Sequence, residues 1–278
     1  MLNNSTTLNN NVKMPWLGLG VFMVSDPSEL TAAIAAALQA GYRSIDTADI
    51  YGNEKGVGEA VRASGLSRQD LFITTKLWNE RQAEGYDASL KAFDNSLKRL
   101  GLEYLDLYLI HWPLEGKSVA AWRALVKQYQ DGRTRAIGVS NFSESQIDEL
   151  IEATGIVPAV NQIELHPWRS QKPLLAYCRD KGIQVEAYCP LMRGRISEVP
   201  ILTEIANRYN KTPAQVVLRW ELQNGAVVIP KSVHAGRIRE NTEIFDFSLN
   251  SADLALVDAL NRDMTVLPPP PRDLQSPN

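Results

Sequence analysis

Residues 71–110 read LFITTKLWNERQAEGYDASLKAFDNSLKRLGLEYLDLYLI and contain one strand–helix–strand unit. Short apolar runs at Leu71–Thr75 and Tyr104–Ile110 predict two buried strands. Between them, apolar residues recur at the spacing of one helix face: Leu90, Phe93, Leu97 and Leu100. Gly101 follows as the expected C-terminal glycine of that helix. A helix that joins two buried strands is typical of a parallel sheet.

The same unit recurs along the chain. Strand-like runs lie at Trp16–Leu19, Tyr42–Ile45, Leu71–Thr75, Tyr104–Ile110, Thr134–Val139, Ala159–Ile163, Gln184–Tyr188 and Ala226–Ile229. A helical face of Leu30, Ala33, Ile34, Ala37 and Leu38 follows the first run and ends at Gly41. Ser143 with Gln146 forms a capping box before another helix. Eight such units predict a (β/α)8 TIM barrel, since the rival doubly wound sheets usually have fewer strands.

The length fits one barrel domain. The chain has 278 residues, against about 250 for a typical barrel, and no linker or low-complexity tract divides it. We therefore predict a single domain over residues 1–278. The polar first 13 residues predict a hairpin or plug, and Thr212–Gln223 predicts an extra helix. The proline-rich tail after Val266 is expected to lie over the mouth of the barrel.

Composition excludes several classes of function. The chain is 44% apolar and 22% charged with a net charge of −3, so it offers no basic surface for nucleic acid and no polybasic membrane anchor. Cys178 and Cys189 are too few for a disulfide scaffold or a cysteine metal site. The first residues lack the pattern of a signal peptide, and no apolar stretch is long enough to span a membrane. We expect a cytoplasmic protein.

Polar residues follow the predicted strands. In an α/β barrel the chemistry lies at the C-terminal ends of the strands, so these residues are the candidates for a site. They are Asp46, Tyr51, Lys76, His111, Ser140, Asn141, Gln162, Glu164, Tyr188, Lys231 and Ser232. Loops are exposed to water, so polar residues often follow strands, and this accounts for part of the set. It does not explain why an acid, a phenol, a base and an imidazole all follow early strands and so meet at one mouth of the barrel.

Tyr51 is the candidate general acid. A free phenol has a pKa of about 10, and a nearby cation lowers it by roughly 1–3 units. Lys76 can supply that cation, Asp46 can keep the lysine charged, and His111 can orient a carbonyl oxygen. The alternative is structural: Asp46 and Lys76 form a buried ion pair that braces the barrel, and His111 is a core histidine.

Other catalytic arrangements fit less well. Only three histidines occur, so a metallohydrolase is not expected and we predict no metal site. No phosphate-binding P-loop occurs, and neither Gly18–Gly20 nor Gly56–Gly58 completes a dinucleotide fingerprint. Asp46 and Glu164 could form the carboxylate pair of a glycosidase, but that reading leaves Tyr51 and Lys76 without a role.

Five motifs together resemble the aldo-keto reductase superfamily. They are Asp46–Glu54 (DTADIYGNE), Thr75–Trp78 (TKLW), Leu109–Pro113 (LIHWP), Ile137–Phe142 (IGVSNF) and Ile229–Ser232 (IPKS). The resemblance runs from about Leu8 to Asp258, with every motif in order at a strand end. The bacterial branch that includes the 2,5-diketo-D-gluconate reductases looks most similar.

The resemblance implies a metal-free, NADPH-dependent reduction of aldehydes and ketones. It makes Tyr51 the proton donor, lets Lys76 and Asp46 tune it, and has His111 position the substrate. The implied cofactor residues are Gly20, Val21, Phe22, Ser140, Asn141, Gln162, Tyr188, Cys189, Leu191, Lys231, Ser232, Val233, Arg237, Glu240 and Asn241. The implied substrate residues are Phe22, Trp78, His111 and Trp112. Arg237 is expected to grip the 2′-phosphate, because a guanidinium binds phosphate through two parallel hydrogen bonds.

The substrates expected from the resemblance are small carbonyls such as methylglyoxal and keto sugars such as 2,5-diketo-D-gluconate. The only partner expected is the small-molecule substrate, with no nucleic acid and no membrane, and a monomer is the expected state. One alternative is a cofactor-binding regulatory subunit, since the superfamily includes potassium-channel β-subunits. The complete set of Asp46, Tyr51, Lys76 and His111 argues for an enzyme instead.

Overall fold

The structure, a computed structural model, describes residues 5–269. This part of the chain begins with a two-stranded antiparallel hairpin. Its strands are β1 (Ser5–Thr7) and β2 (Lys13–Pro15). Leu8 and Met14 are buried against apolar residues at the N-terminal ends and in the interior of the barrel: Phe72, Leu107, Leu109, Ala136, Ala159, Val160 and Val227. The hairpin predicted from the polar N-terminus is confirmed, and its apolar side closes this end of the barrel.

Eight parallel strands form the barrel. They are β3 (Gly18–Gly20), β4 (Ser44–Asp46), β5 (Phe72–Leu77), β6 (Leu105–Ile110), β7 (Thr134–Ser140), β8 (Val160–Glu164), β9 (Gln184–Tyr188) and β10 (Val227–Val228). Each strand pairs with the next one along the chain, in the order β3 to β10. Parallel bridges between Leu17 and Val228 and between Gly20 and Lys231 join the first strand to the last and close the ring. The predicted (β/α)8 barrel is confirmed.

Helices lie between the strands. They are α1 (Pro27–Gln39), α2 (Glu54–Ala63), α3 (Asn79–Ala83), α4 (Tyr86–Leu100), α5 (Ser118–Gln130), α6 (Glu144–Thr154), α7 (Lys172–Asp180), α8 (Pro200–Tyr209), α9 (Pro213–Gln223), α10 (Ala235–Glu240) and α11 (Ser251–Asp258). The predicted extra helix is α9, which shares the connection between β9 and β10 with α8. Thr212 caps α9 in a capping box with Gln215.

Local sequence signals set the helix ends. The Asp26 side chain accepts from the amides of Ser28 and Glu29 at the start of α1, and the predicted capping box of Ser143 and Gln146 begins α6. Gly101 ends α4 in the left-handed region, with φ +63. Helices α2 and α4 pack so closely at Gly58 that a Cβ there would lie 1.8 Å from the carbonyl oxygen of Leu100.

The chain after α11 returns to the C-terminal end of β8. The amides of Arg262 and Met264 donate to the carbonyl oxygen of Trp168, each at 3.0 Å. Further on, the amide of Val266 donates to the carboxylate of Glu164 at 2.5 Å. The segment thus reaches the edge of the mouth, and the rest of the predicted tail, residues 270–278, lies outside the described residues.

Within residues 5–269, every helix is too short or too polar to cross a membrane.

Candidate active site at the C-terminal end of the barrel

A buried ion pair lies inside the barrel just below its mouth. Lys76, near the end of β5, donates to Asp46 Oδ1 at 2.6 Å and to the carbonyl oxygen of Thr47 at 2.9 Å. Lys76 is 0% exposed and Asp46 is 2% exposed. Charges removed from water are tolerated only when they are paired and hydrogen-bonded, and both conditions hold here.

Tyr51 stands above this pair. It ends a short 3-10 helix, Asp49–Tyr51, in the loop that leads from β4 to α2. Lys76 Nζ lies 5.1 Å from the centroid of its ring, and the ring of Phe22 lies 4.9 Å from it. Burial raises the pKa of the Tyr51 hydroxyl well above its usual range, and the negative charge of Asp46 raises it further.

The prediction that Lys76 brings the pKa of Tyr51 below its ordinary value is therefore wrong for this structure. The ammonium group is close to the ring, but the negative charge of Asp46, which is hydrogen-bonded to it, offsets its positive charge. Desolvation of the phenol then dominates the shift. Tyr51 is a fully protonated phenol at neutral pH.

His111 completes the group of four. It follows β6, and its amide donates to the carbonyl oxygen of Leu77 at 3.1 Å. Its ring lies 5.7 Å from the ring of Tyr51 and 5.1 Å from that of Trp78, centroid to centroid. Burial lowers the pKa of His111 well below its ordinary value, and the charge of Lys76 acts in the same direction. The imidazole is neutral at pH 7, so it carries one N–H that can donate to an oxygen.

The loop that carries Tyr51 is held by helix α4. Arg99 donates from Nε to Glu54 Oε2 and from a terminal nitrogen to Asp49 Oδ1, both at 2.5 Å. Asp49 and Glu54 stand on either side of Tyr51 in the chain. Thr75 donates to the other oxygen of Glu54 at 2.6 Å, and Glu54 is 1% exposed. Sequence reasoning missed this clamp, because nothing in the spacing links residue 99 to residues 49 and 54.

Three polar side chains at the ends of β7 and β9, those of Ser140, Asn141 and Tyr188, are hydrogen-bonded to one another, and Ser140 is also bonded to the backbone of Gln162 in β8. Ser140 Oγ donates to the carbonyl oxygen of Gln162 at 2.9 Å, and Asn141 Nδ2 donates to the carbonyl oxygen of His111 at 3.1 Å. The hydroxyl of Tyr188 donates to Asn141 Oδ1 at 2.8 Å. These four implied cofactor residues are therefore brought together, and Asn141 contacts the backbone of His111.

The Gln162 side chain donates to two carboxyl groups, one across the barrel on β4 and one on the neighbouring strand β9. Its Nε2 donates to Asp46 Oδ2 at 2.9 Å and to Glu186 Oε2 at 2.7 Å. Glu186 is the β9 residue in register with Gln162, and it is 0% exposed. Sequence reasoning did not select Glu186. A signal was present, because Glu186 alternates with Tyr188 and so shares its face of the strand.

The implied cofactor residues that follow β10 fall into two groups. Lys231 and Arg237 are exposed near the end of β10 and on α10. Glu240 and Asn241 instead face inward: Glu240 accepts from the hydroxyl of Thr212 at 2.6 Å, and Asn241 is 3% exposed. The side chains of the first group can contact a ligand directly, whereas those of the second group contact other parts of the protein and hold α10 in place.

The other predicted residues border the same mouth. Ser232 Oγ accepts from the amide of His234 at 3.1 Å just before α10, and Val233 is half-buried. Gly20 and Val21 lie at the end of β3, where the amide of Val21 donates to the carbonyl oxygen of Asp46 at 3.1 Å. Cys189 and Leu191 follow β9, and Trp112 follows His111.

Cys189 stands in the left-handed region, with φ +51. Burial raises the pKa of its thiol to about 12, so the group is a weak nucleophile at neutral pH.

Glu164 is occupied by contacts within the protein. It accepts from His166 Nε2 at 2.9 Å, from the hydroxyl of Thr265 and from the amide of Val266. Asp46 is likewise held by Lys76 and Gln162. The two carboxylates considered for a glycosidase therefore serve other contacts, which argues against that alternative.

Comparison with known proteins agrees with this geometry. The sequence model of the aldo/keto reductase family matches residues 17–262. Glyoxal reductase of Bacillus subtilis (strain 168) is 53% identical over 269 residues, which are 97% of this chain and 97% of the relative. Methylglyoxal reductase DkgA of Yersinia pestis is 47% identical over 261 residues, 92% of each chain. An aldo-keto reductase of Bombyx mori, solved in complex with NADP, superimposes with a TM-score of 0.91 at 36% identity and 96% coverage of both chains.

Proposed function

Because the chain belongs to the aldo/keto reductase family, we propose that it reduces small aldehydes and ketones to alcohols with NADPH, with Tyr51 as the proton donor. One observation carries the proposal. Tyr51 and His111 meet at the mouth of the barrel, and the ring of Tyr51 lies 5.1 Å from the buried ammonium of Lys76. A phenol and a neutral imidazole can both donate a hydrogen bond to the same carbonyl oxygen.

The four side chains divide the work. His111 donates a hydrogen bond to the carbonyl oxygen and fixes its position. Tyr51 transfers its proton to that oxygen as the alcohol forms. The resulting phenolate is stabilised by the ammonium of Lys76, which Asp46 keeps in place at 2.6 Å. Lys76 thus acts on the anionic product of the transfer, and its charge lowers the cost of forming the phenolate, which the raised pKa of Tyr51 otherwise makes high.

The donor set of the mouth fits a nicotinamide dinucleotide. Asn141 offers an amide group beside His111, Gln162 offers the oxygen of its amide, and Tyr188 offers a ring next to Asn141. Lys231 and Arg237 offer exposed cations for phosphate at the other end. When bound, NADPH would supply the hydride that adds to the carbonyl carbon.

The rim of the mouth favours compact substrates with apolar or mixed surfaces. The rings of Phe22 and Trp78 flank Tyr51 and His111 at 4.9 Å and 5.1 Å, and the half-buried Trp112 follows His111 in the chain. The relatives named as glyoxal and methylglyoxal reductases support dicarbonyls as the first substrates to test. We also propose that this protein belongs to the branch of the 2,5-diketo-D-gluconate reductases and that it reduces keto sugars.

We further propose a cytoplasmic monomer whose partner is the small-molecule substrate, without nucleic acid or membrane. The net charge of −3 supports the absence of a nucleic-acid partner.

The decisive experiment follows the loss of NADPH absorbance with a panel of carbonyls. The panel contains methylglyoxal, glyoxal, 2,5-diketo-D-gluconate, an aryl aldehyde and a short keto ester. We expect turnover of at least one dicarbonyl and weaker turnover with NADH. Tight binding of NADPH without turnover of any carbonyl would favour the regulatory subunit instead.

A further inference from the structure

The side chains of Asp46, Lys76, Gln162 and Glu186 form a hydrogen-bonded polar layer beneath Tyr51. The proposed mechanism does not use one of them, Glu186. Glu186 Oε2 accepts from Gln162 Nε2 at 2.7 Å, and the same nitrogen donates to Asp46 Oδ2 at 2.9 Å. An amide nitrogen has two protons, so these contacts engage both. The two carboxyl groups together fix which way the amide points, and they leave Gln162 Oε1 free for other contacts.

The charges of this layer are not balanced when both carboxyl groups are ionised. Asp46 holds the ammonium of Lys76, whose other hydrogen bond is to the neutral carbonyl oxygen of Thr47. Glu186 Oε1 is buried without a hydrogen-bond partner among residues 5–269. Burial therefore raises the pKa of Glu186 to about 8, and the negative charge of Asp46 contributes to the rise. Glu186 is predominantly a neutral carboxylic acid at pH 7.

We propose that Glu186 is a positioning residue of the reduction, which holds the amide of Gln162 and, through it, the carboxylate of Asp46 that keeps Lys76 under Tyr51. This inference rests on the proposed function. The chain of contacts runs Glu186, Gln162, Asp46, Lys76, and each of the first three side chains is 2% exposed or less. Glu186 needs no contact with substrate to act in this way.

A dependence on pH follows from the same contacts. The charged and titratable groups that face Glu186 are Asp46 from β4, Lys76 from β5 and Tyr51 from the loop after β4. Above about pH 8, ionisation of Glu186 adds a negative charge near Tyr51 and Asp46. That charge disfavours the phenolate that Tyr51 must become. The rate of reduction should fall as Glu186 ionises.

The test compares Glu186→Gln with the wild-type protein. Glutamine keeps the acceptor for Gln162 Nε2 and stays neutral at every pH. We expect the wild-type single-turnover rate with methylglyoxal to fall about tenfold between about pH 7 and about pH 9.5, and that of E186Q to fall less than about twofold. At pH 7, E186Q should match the wild type, whereas E186M, which lacks the acceptor, should lose about tenfold in kcat. Thermal melts establish that both variants fold.

The matched control is Glu221→Gln. Glu221 is also a carboxyl with 0% exposure whose pKa burial raises well above its usual value, but it lies on α9. E221Q should keep the wild-type pH profile, since removing a buried acid remote from Tyr51 leaves the layer unchanged.

Infrared difference spectra of the protein without cofactor give a readout independent of turnover. A carboxylic-acid band that disappears with a midpoint near pH 8 should be absent in E186Q and present in E221Q. The inference is overturned when E186Q keeps the wild-type alkaline fall or the titrating band. It is also overturned when E186M is as active as the wild type. A wild-type protein that reduces no carbonyl refutes the proposed function instead, and the infrared result then still decides the state of Glu186.

Discussion

Arg99 donates from Nε to Glu54 Oε2 at 2.5 Å and so ties helix α4 to the first residue of α2. The same guanidinium reaches Asp49, so one side chain holds both ends of the six-residue loop segment that contains Tyr51. The position of the proposed acid therefore depends on helix α4 of the next strand–helix unit, as well as on its own loop.

Arg99→Met should loosen that loop. The buried carboxylate of Glu54 then keeps only its contact with Thr75, which should cost about 1–3 kcal/mol of stability. We expect kcat to fall and amide hydrogen exchange of residues 49–54 to quicken. Lys98→Met removes the neighbouring exposed cation of α4 and serves as the control. Equal exchange rates in both variants would contradict the clamp.

Tyr51→Phe keeps the ring and its contact with Phe22 and removes only the hydroxyl. Turnover should fall by about 10²–10⁴-fold, while NADPH binding, measured by quenching of tryptophan fluorescence, should persist. Retention of the wild-type rate, with a substrate whose chemical step is limiting, would mean that another group donates the proton.

Lys76→Met leaves Asp46 buried without its cation, which should cost about 3–5 kcal/mol of the free energy of unfolding and abolish activity. The double variant Asp46→Asn, Lys76→Met removes both charges. It should regain stability in denaturant unfolding but no activity. If activity also returned, the pair would be only structural.

Arg237→Met should weaken NADPH binding by roughly 10- to 150-fold, because a charge-assisted hydrogen bond to phosphate contributes about 1.5–3 kcal/mol. NADH lacks that phosphate, so its affinity should not change. Arg239→Met is the matched control, since residues two apart on a helix point in different directions. A similar loss of NADH affinity in R237M would show that Arg237 acts elsewhere in the site.

Glu221→Met should stabilise the protein at neutral pH. Both carboxyl oxygens of Glu221 are buried without a hydrogen-bond partner in the described part of the chain, which costs about 1–3 kcal/mol. Burial raises the pKa of Glu221 in the folded state above its value in the unfolded chain. The unfolded state therefore binds fewer protons as pH rises above about 4.3, and the wild type loses stability there.

The gain from E221M should accordingly be larger at about pH 7 than at about pH 4. Urea unfolding at the two pH values measures it. Glu204→Met, at an exposed position on α8, should change stability little at either pH. A gain that is the same at both pH values would mean that Glu221 ionises normally in the folded protein.

The sequence was sufficient for the architecture. Strand-like runs separated by helical faces gave all eight barrel strands in order, and the strand bounds moved by only one or two residues. This works because strand and helix periodicity are local, and parallel strands joined by helices allow few arrangements. The chain also revealed which polar residues end the strands, and the barrel then places those residues at one mouth.

Only the tertiary structure decided which side chains make contact across the barrel and which charge states follow from those contacts. Gln162 and Asp46 are 116 residues apart in the chain and meet only because β8 and β4 face each other across the interior. Burial, which no spacing encodes, raises the pKa of Tyr51 where the nearby lysine alone suggested a lower one. Desolvation depends on every atom packed around a group, so the sequence could name the charged residues but not the state in which each is held.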